Sequence, residues 1–205
     1  MIAAALAGVC RTICGPAVEW RCDPRAPRQR IYFANHASHL DFVLIWSAFP
    51  ADLRRSLRPV AGRDYWENGP LRRYLAGEVF RAILIERPGA QSTPAAAAAI
   101  VLGIASAMGT RDSLIIFPEG TRGSGVEPGP FKSGLFHLSR MRPDVELIPV
   151  HLDNLNRILP KGEVLPVPML SRIVFGSPLA VNPLAGKREF LARARTALVE
   201  LRTAQ

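Results

Sequence analysis

The hydrophobic positions of this chain fall into short continuous runs that alternate with segments of helical periodicity. Apolar runs bounded by polar or turn-forming residues predict β-strands. These strands are Arg30–Asn35, Leu57–Gly62, Ala82–Glu86, Ser113–Phe117, Glu146–Leu152 and Ser171–Gly176.

The segments between these runs predict helices. Ser38 is predicted to cap a helix that ends near Pro50, and Thr93 with Pro94 is predicted to start an alanine-rich helix. Three further helices are expected at about residues 68–77, at "GLFHLSR" and at about residues 187–203. Apolar strands alternating with helices indicate a single-domain α/β fold, with a mostly parallel or mixed sheet covered on both faces.

Composition adds a basic surface to this picture. The formal net charge is +9 and nearly all the cationic residues are arginine, which favours anionic partners such as acidic lipid, phosphorylated small molecules or nucleic acid. The cysteines Cys10, Cys14 and Cys22 do not form a disulfide framework or a zinc pattern, so we interpret them as small buried hydrophobes in a reducing compartment.

The first 29 residues are predicted to be a membrane-associating segment, followed by one folded domain from residue 30 to residue 205. "MIAAALAGVC" is apolar and is followed by Arg11 and further arginines, which suits a monotopic anchor on an anionic leaflet. The alternative is an N-terminal helix that packs on the domain. No segment is apolar for the roughly 20 residues that a membrane span needs.

The motif "NHASHLD" follows the first predicted strand and has three possible interpretations. Ser38 and Asp41 resemble a capping box, and His36, His39 and Asp41 are possible metal ligands. In the third reading His36 is a general base. On one continuous helix His36 and Asp41 would be about 140° apart, but a histidine in the preceding turn can fold back to the carboxylate, which would set its tautomer.

The loop "FPEGTRG" follows the strand that ends at Phe117 and contains several functional groups that could bind a substrate. Glu119 supplies a carboxylate, Gly120 permits close backbone approach, Thr121 supplies a hydroxyl, and Arg122 is suited to bidentate phosphate recognition. Ligands of such sheets bind beyond the carboxyl ends of the strands. We therefore expect this loop and His36 to reach one crevice.

Together the two motifs resemble the glycerolipid acyltransferase family, which includes 1-acylglycerol-3-phosphate acyltransferases. The family pattern is Asn-His-x-x-x-x-Asp, a Gly-x-Ile-x-Ile-Asp-Arg-like segment, Phe-Pro-Glu-Gly-Thr-Arg-Ser and an apolar segment around a proline. Here the blocks are Asn35–Asp41, "AILIER" ending at Arg87, Phe117–Gly123 and "LIPVHL" with Pro149. Ala82, Glu86 and Gly123 depart from the family residues.

The resemblance implies an acyltransferase-like fold and a role for each motif. His36 would deprotonate the acceptor hydroxyl as it attacks an acyl thioester, and Asp41 would support the imidazolium. Arg87, Arg122 and Lys132 would bind the acceptor phosphate. Glu119 would hold the acceptor glycerol or support the arginines, and the amides of the Glu119–Gly120–Thr121 turn would stabilise the oxyanion.

The expected reaction transfers a fatty acyl group from acyl-CoA or acyl-carrier protein to a lysophospholipid, with 1-acylglycerol-3-phosphate as the leading acceptor and phosphatidate as product. The thioester is a co-substrate, and neither cofactor nor metal is expected. The expected location is the cytoplasmic face of a membrane, as a peripheral or monotopic protein. The alternatives are another lysolipid acceptor, a non-catalytic binder of anionic lipid, or a nucleic-acid binder, which the scarcity of aromatics (7%) disfavours.

Overall fold

The computed structural model describes residues 1–86, 93–123, 127–159 and 165–203. Within these ranges the strands join into one mixed sheet with the order β1-β7-β6-β2-β5-β3-β4. Neighbouring strands are parallel except β6 and β7, which are antiparallel. The strands are β1 Pro16–Trp20, β2 Arg30–Ala34, β3 Leu57–Gly62, β4 Ile83–Ile85, β5 Ser113–Ile116, β6 Glu146–Asp153 and β7 Ser171–Phe175.

The helices pack on both faces of this sheet. They are α1 Ile2–Cys14, α2 Asp41–Ala48, α3 Arg63–Trp66, α4 Pro70–Tyr74, α5 Pro94–Met108, α6 Gly134–Met141, α7 Leu155–Ile158 and α8 Lys187–Thr203. A 3-10 turn at Leu53–Ser56 precedes β3, and a π-helical turn at Leu75–Val79 continues α4.

Alternation along the strands divides the core into two layers. In β2, Tyr32 and Ala34 pack with α1 and α2, whereas Ile31 and Phe33 pack with α5, α6 and α8. Successive strand residues point to opposite faces, so a strand buried on both sides needs a continuous apolar run. This confirms the predicted α/β class with a mixed sheet and helices on both faces.

The predicted strands all form within two residues of their expected limits, and α8 has the expected bounds. The predicted helix at residues 68–77 is instead split into α4 and the π-helical turn. The N-cap prediction for α5 is confirmed, because the Thr93 side chain accepts a hydrogen bond from Ala96 N–H at 3.2 Å.

The N-terminal segment is part of the same sheet and core. β1 pairs in parallel with β7 from Pro16 opposite Ser171 to Trp20 opposite Phe175, and α1 packs against α2. Cys10 and Cys14 of α1 are buried, as predicted, whereas Cys22 is only partly buried, so the prediction is wrong for that residue. The sheet therefore continues across the predicted domain boundary at residue 30, and the membrane association of residues 1–29 stays a prediction. In the described part of the chain, no helix is long and apolar enough to cross a bilayer.

The order of the strands places two motif loops side by side. β2 pairs in parallel with β5, with Ile31 opposite Leu114 and Phe33 opposite Ile116. Both strands point the same way, so the loops that follow them emerge at the same edge of the sheet.

Candidate active site

Asn35 fixes the end of β2 to the neighbouring β6. Its Nδ2 donates to the Leu152 carbonyl oxygen at 2.8 Å, and its Oδ1 accepts from Leu152 N–H at 2.8 Å. The side chain is buried, so both halves of the amide are paired where water has no access. Asn35 thus sets the point from which the His36 loop starts.

His36 and Asp41 are in direct contact. His36 Nδ1 lies 2.8 Å from Asp41 Oδ2, and the Asp41 side chain is almost fully buried, at 1% exposure. The histidine lies in the turn before α2 and the aspartate is the first residue of α2, which is the fold-back geometry expected from the sequence. A carboxylate at Nδ1 holds the neutral imidazole with its proton on that nitrogen.

Asp41 is itself held by the backbone of the turn. Its Oδ2 also accepts from Ala37 N–H at 2.6 Å and from Ser38 N–H at 2.9 Å. Its Oδ1 is buried and has no hydrogen-bond partner among the described residues. These bonds orient the carboxylate before any substrate arrives.

The prediction that Ser38 caps the helix is wrong. The residue that precedes α2 as its N-cap is Leu40, without a side-chain cap bond. Ser38 Oγ instead accepts from Leu40 N–H at 3.3 Å and donates to the Leu159 carbonyl at 3.0 Å. Of the capping box, only the bond from Ser38 N–H to Asp41 Oδ2 is present, because the Ser38 hydroxyl bonds to Leu40 and Leu159 instead.

The ring of Phe117 lies against the imidazole of His36. The ring centroids are 4.2 Å apart and the planes differ by 19°. Phe117 follows β5 directly, so the stack joins the two neighbouring loops. His36 keeps 19% of its side chain exposed, and the described residues provide no hydrogen-bond partner for Nε2. That nitrogen is the one available to a substrate hydroxyl.

Glu119 connects the loops through the backbone. Its Oε1 accepts from His36 N–H at 2.8 Å, and its Oε2 accepts from Gly129 N–H at 2.8 Å. The residue is 6% exposed. Gly123 N–H closes the same arrangement by donating to the His36 carbonyl at 2.8 Å. The loop after β5 therefore holds His36 from both sides of its peptide backbone.

Gly120 brings Lys132 to this edge. Gly120 has a positive φ of 70°, and the end of the Lys132 side chain lies 2.9 Å from where a Cβ would stand. Lys132 N–H also donates to the Pro118 carbonyl at 2.8 Å. A side chain at position 120 would be strained by its backbone and would displace the lysine.

The remaining predicted residues are placed as follows. Arg122 is half-buried directly before Gly123, in the loop that holds His36, while Thr121 is exposed. Gly120 N–H donates to the Phe117 carbonyl at 3.0 Å. This amide is therefore already hydrogen-bonded and is not free to stabilise an oxyanion, as the sequence analysis expected. Arg87 lies outside the described residues. Glu86, where the family pattern has aspartate, forms an ion pair with Arg63 at 3.0 Å.

Sequence reasoning missed the ring of Phe117, the amides of Ala37 and Ser38, and the amide of Gly129. The first could have been found from its position at the end of an apolar strand. The amides carry no sequence signal, because every residue other than proline has one. In the part of the chain that the structure describes, no group of three or more His, Cys, Asp or Glu side chains is arranged to hold a metal ion.

A His–Asp pair at the carboxyl edge of a mixed α/β sheet, held by an Asn-His-x-x-x-x-Asp turn and a Phe-Pro-Glu-Gly-Thr-Arg loop, defines an acyltransferase. The chain matches the acyltransferase family over residues 23–153, which is more than half of its length, and it belongs to that family. The predicted resemblance is thereby confirmed.

Its fold is similar to that of the 1-acyl-sn-glycerophosphate (LPA) acyltransferase PlsC from Thermotoga maritima. The TM-score is 0.72 at 17% sequence identity, and the match covers 100% of this chain and 79% of the other. No curated protein sequence matches the chain.

Proposed function

We propose that this acyltransferase moves a fatty acyl group from a thioester, carried by CoA or by acyl-carrier protein, to the free hydroxyl of 1-acylglycerol-3-phosphate. The product is phosphatidate. The observation that carries the proposal is the 2.8 Å contact between His36 Nδ1 and the buried Asp41 carboxylate. This contact leaves Nε2 as a base at the edge of the sheet where ligands bind.

The proposed reaction needs one base and no acyl-enzyme. Nε2 of His36 takes the proton of the acceptor hydroxyl while the oxygen attacks the thioester carbonyl carbon. Asp41 stabilises the imidazolium that forms. When the tetrahedral intermediate collapses, the carbon–sulfur bond breaks, and the thiolate takes the proton back from Nε2. The free thiol and the new ester leave, and His36 is neutral again.

Cations in the loop after β5 supply the proposed phosphate site. Lys132 packs over Gly120, and Arg122 is adjacent in sequence to the residue that binds the His36 carbonyl. Arginine binds phosphate bidentately and lysine binds it as a point charge. Arg87 belongs to this proposal through the family motif.

We further propose that α1 associates with the membrane that supplies the lipid. Its inner face is buried against α2, while Ile2 and Val9 on its outer side are exposed by 52% and 56%. The first ten residues carry no charged side chain, and Arg11 follows them. A helix that is apolar on all sides is normally covered on all sides, and an anionic bilayer matches this combination of apolar surface and net charge.

The test is acyl transfer by purified protein and its His36→Ala variant. Acyl-CoA and acyl-carrier protein would be offered with several lysolipids, and diacyl products would be measured by mass spectrometry. We expect wild type to form phosphatidate and His36→Ala to lose about 10²–10⁴-fold in kcat.

His137→Ala is the matched control, because His137 is an exposed histidine on α6. It should retain wild-type activity. Equal activity of His36→Ala and wild type would contradict the proposed base. Product from a different lysolipid would contradict the acceptor, and absence of product from wild type with vesicle binding intact would favour a lipid-binding protein.

A further inference from the structure

A second basic site lies at the opposite edge of the sheet from His36. A cavity of about 630 Å³ opens beside the first residues of β3 and β5. Asp112 at the cavity and Phe117 at the other edge lie five residue steps apart along β5, so at about 3.3 Å per residue the two sites are roughly 16 Å apart. The lining includes four arginines and two aspartates: Arg55, Arg58, Arg81, Arg111, Asp52 and Asp112.

Two of these arginines are fixed by Asp112. Arg58 Nη1 and Arg81 Nη2 lie 3.3 Å and 3.2 Å from the same oxygen, Asp112 Oδ2. Arg58 Nε also donates to the Arg81 carbonyl at 2.6 Å, and Arg81 Nη1 donates to the Arg55 carbonyl. The two guanidinium groups are thereby positioned at the cavity with one carboxylate between them.

The remaining charge at the cavity is not balanced. The Asp52 carboxylate is engaged by Arg25 at 2.8 Å. The side chains of Arg55 and Arg111 have no hydrogen bond or ion pair with a described residue. Four arginines and two aspartates leave a formal charge of +2 on the lining, which disfavours a metal cation and favours an anion.

The end of α5 does not oppose an anion here, although carbonyl groups usually make a helix C-terminus negative. The Ala107 carbonyl accepts from Arg58 Nη1 at 2.6 Å. The Gly109 carbonyl accepts from Gln29 and from Arg142. Each of these carbonyl groups therefore already has a donor.

The backbone of Arg81 is in the left-handed region, with φ of +50°. It follows the π-helical turn, where Ala82 N–H bonds back to the Ala76 carbonyl at 2.7 Å. Glycine is the usual residue at such a helix end, and a side chain costs about 1–2 kcal/mol there. A residue other than glycine that is held in this conformation is a candidate for a functional role, and the Arg81 side chain lines the cavity.

We propose that this cavity binds a phosphate-bearing ligand at a site separate from the acyl-transfer site. Arg58 and Arg81 form the preorganised part of the site, and Arg55 and Arg111 close on the bound phosphoryl groups. Planar guanidinium groups bind phosphate oxygens in pairs. The ligand is a soluble phosphorylated molecule or the phosphate headgroup of a lipid.

The test uses inorganic diphosphate as the probe and calorimetry as the readout. The protein would carry Arg87→Ala, Arg122→Ala and Lys132→Ala, so that none of the three proposed acceptor-binding cations contributes. The result then does not depend on whether the acyl-transfer proposal is correct. We expect one saturable equivalent per chain in this background.

Arg111→Ala and Arg81→Gly should each weaken that binding at least tenfold, since each removes a charge-assisted contact. Arg81→Gly suits the positive φ, and Arg111 has no contact in the network, so both variants should fold. Arg188→Ala removes the same charge from an exposed position on α8 and should bind diphosphate like the parent.

Vesicles with and without phosphatidate distinguish the two sources of phosphate. Loss of phosphatidate-dependent vesicle binding in Arg111→Ala would identify a lipid headgroup, and unchanged vesicle binding would identify a soluble ligand. The proposal is overturned if diphosphate does not saturate, or if the two cavity variants bind it like Arg188→Ala. Binding of acyl-carrier protein without binding of diphosphate would also overturn it, in favour of a protein partner.

Discussion

At the scale of single residues, Glu119 is the residue whose contacts in the structure differ most from the role that the motif suggests. The sequence motif suggests a carboxylate that contacts the acceptor or the arginines. In the structure both of its oxygens accept backbone N–H groups, one from His36 and one from Gly129. Glu119 therefore positions the backbone of His36, and under the proposed mechanism it would act on the reaction through that residue.

This role predicts the behaviour of Glu119→Gln. Glutamine keeps one acceptor oxygen but turns an NH₂ group toward a buried N–H, which costs about 1–3 kcal/mol. We expect a lower melting temperature and a lower kcat, with the KM for the acceptor nearly unchanged. Steady-state kinetics and thermal unfolding of the same preparation would measure both.

Glu127→Gln is the control, because Glu127 is an exposed carboxylate of the same loop, 3.5 Å from Arg195. It should change neither quantity by a measurable amount. If Glu119→Gln raised the acceptor KM at constant kcat and stability, Glu119 would be a substrate-binding residue instead.

At the scale of elements, the strands with apolar runs could be predicted, including the edge strand β4, whereas the other edge strand, β1, could not. β2, β5, β6 and β7 are buried on both faces and read as continuous apolar runs. β1 is an edge strand that begins with Pro16 and is mostly not buried. Its partner is β7, more than 150 residues later, so nothing in the local sequence marks it as a strand.

The two α1 faces predict different effects of mutation. Deletion of residues 1–20 would remove β1 and uncover the layer between α1 and α2, so we expect loss of the cooperative unfolding transition. The Ile2→Ser, Val9→Ser double variant changes only exposed positions and should alter stability by no more than about 0.5 kcal/mol. It should nevertheless bind anionic vesicles more weakly, as a flotation assay would show.

A stable, cooperatively folded chain lacking residues 1–20 would mean that the N-terminal segment is a separable anchor. Unchanged vesicle binding by the double variant would mean that α1 does not form the membrane-binding face. The two measurements separate the structural role of α1 from its proposed contact with lipid.

At the scale of the whole molecule, stability should depend on pH through a buried histidine. Burial lowers the pKa of His151 to about 4, and the nearby Arg202 and Arg172 act in the same direction while Asp153 opposes them. Its Nδ1 is buried, and the part of the chain that the structure describes gives it no hydrogen-bond partner. The neutral form therefore fits the fold.

The direction in which stability changes with pH follows from the state of the chain that binds the proton. Between the ordinary pKa of about 6.5 and the folded value of about 4, the unfolded chain binds the proton and the folded chain does not. The stabilisation is complete above about pH 6.5 and is lost as the pH falls toward 4, by about 3 kcal/mol in all. Urea unfolding at several pH values would show this loss.

His151→Leu is the comparison, because leucine fills a similar volume and does not titrate. Its free energy of unfolding should fall less steeply over the same pH interval. Parallel curves for the two proteins would show that His151 is protonated in the folded state as readily as in the unfolded state.

The sequence by itself determined the α/β class, the limits of the buried strands, and the chemistry of His36, Asp41 and the Glu119–Arg122 loop. Those features are local, since apolar periodicity and motif residues lie within a few positions of each other. The sequence predicted that the loops after β2 and β5 reach one crevice, but the tertiary structure alone decided that β2 and β5 are adjacent, that Phe117 stacks on His36, and that Glu119 binds the backbone. The tertiary structure also brings Arg55, Arg58, Arg81 and Arg111 together at one cavity. These contacts depend on strand order. Packing between distant segments sets that order, so it cannot be predicted from any single stretch of the chain.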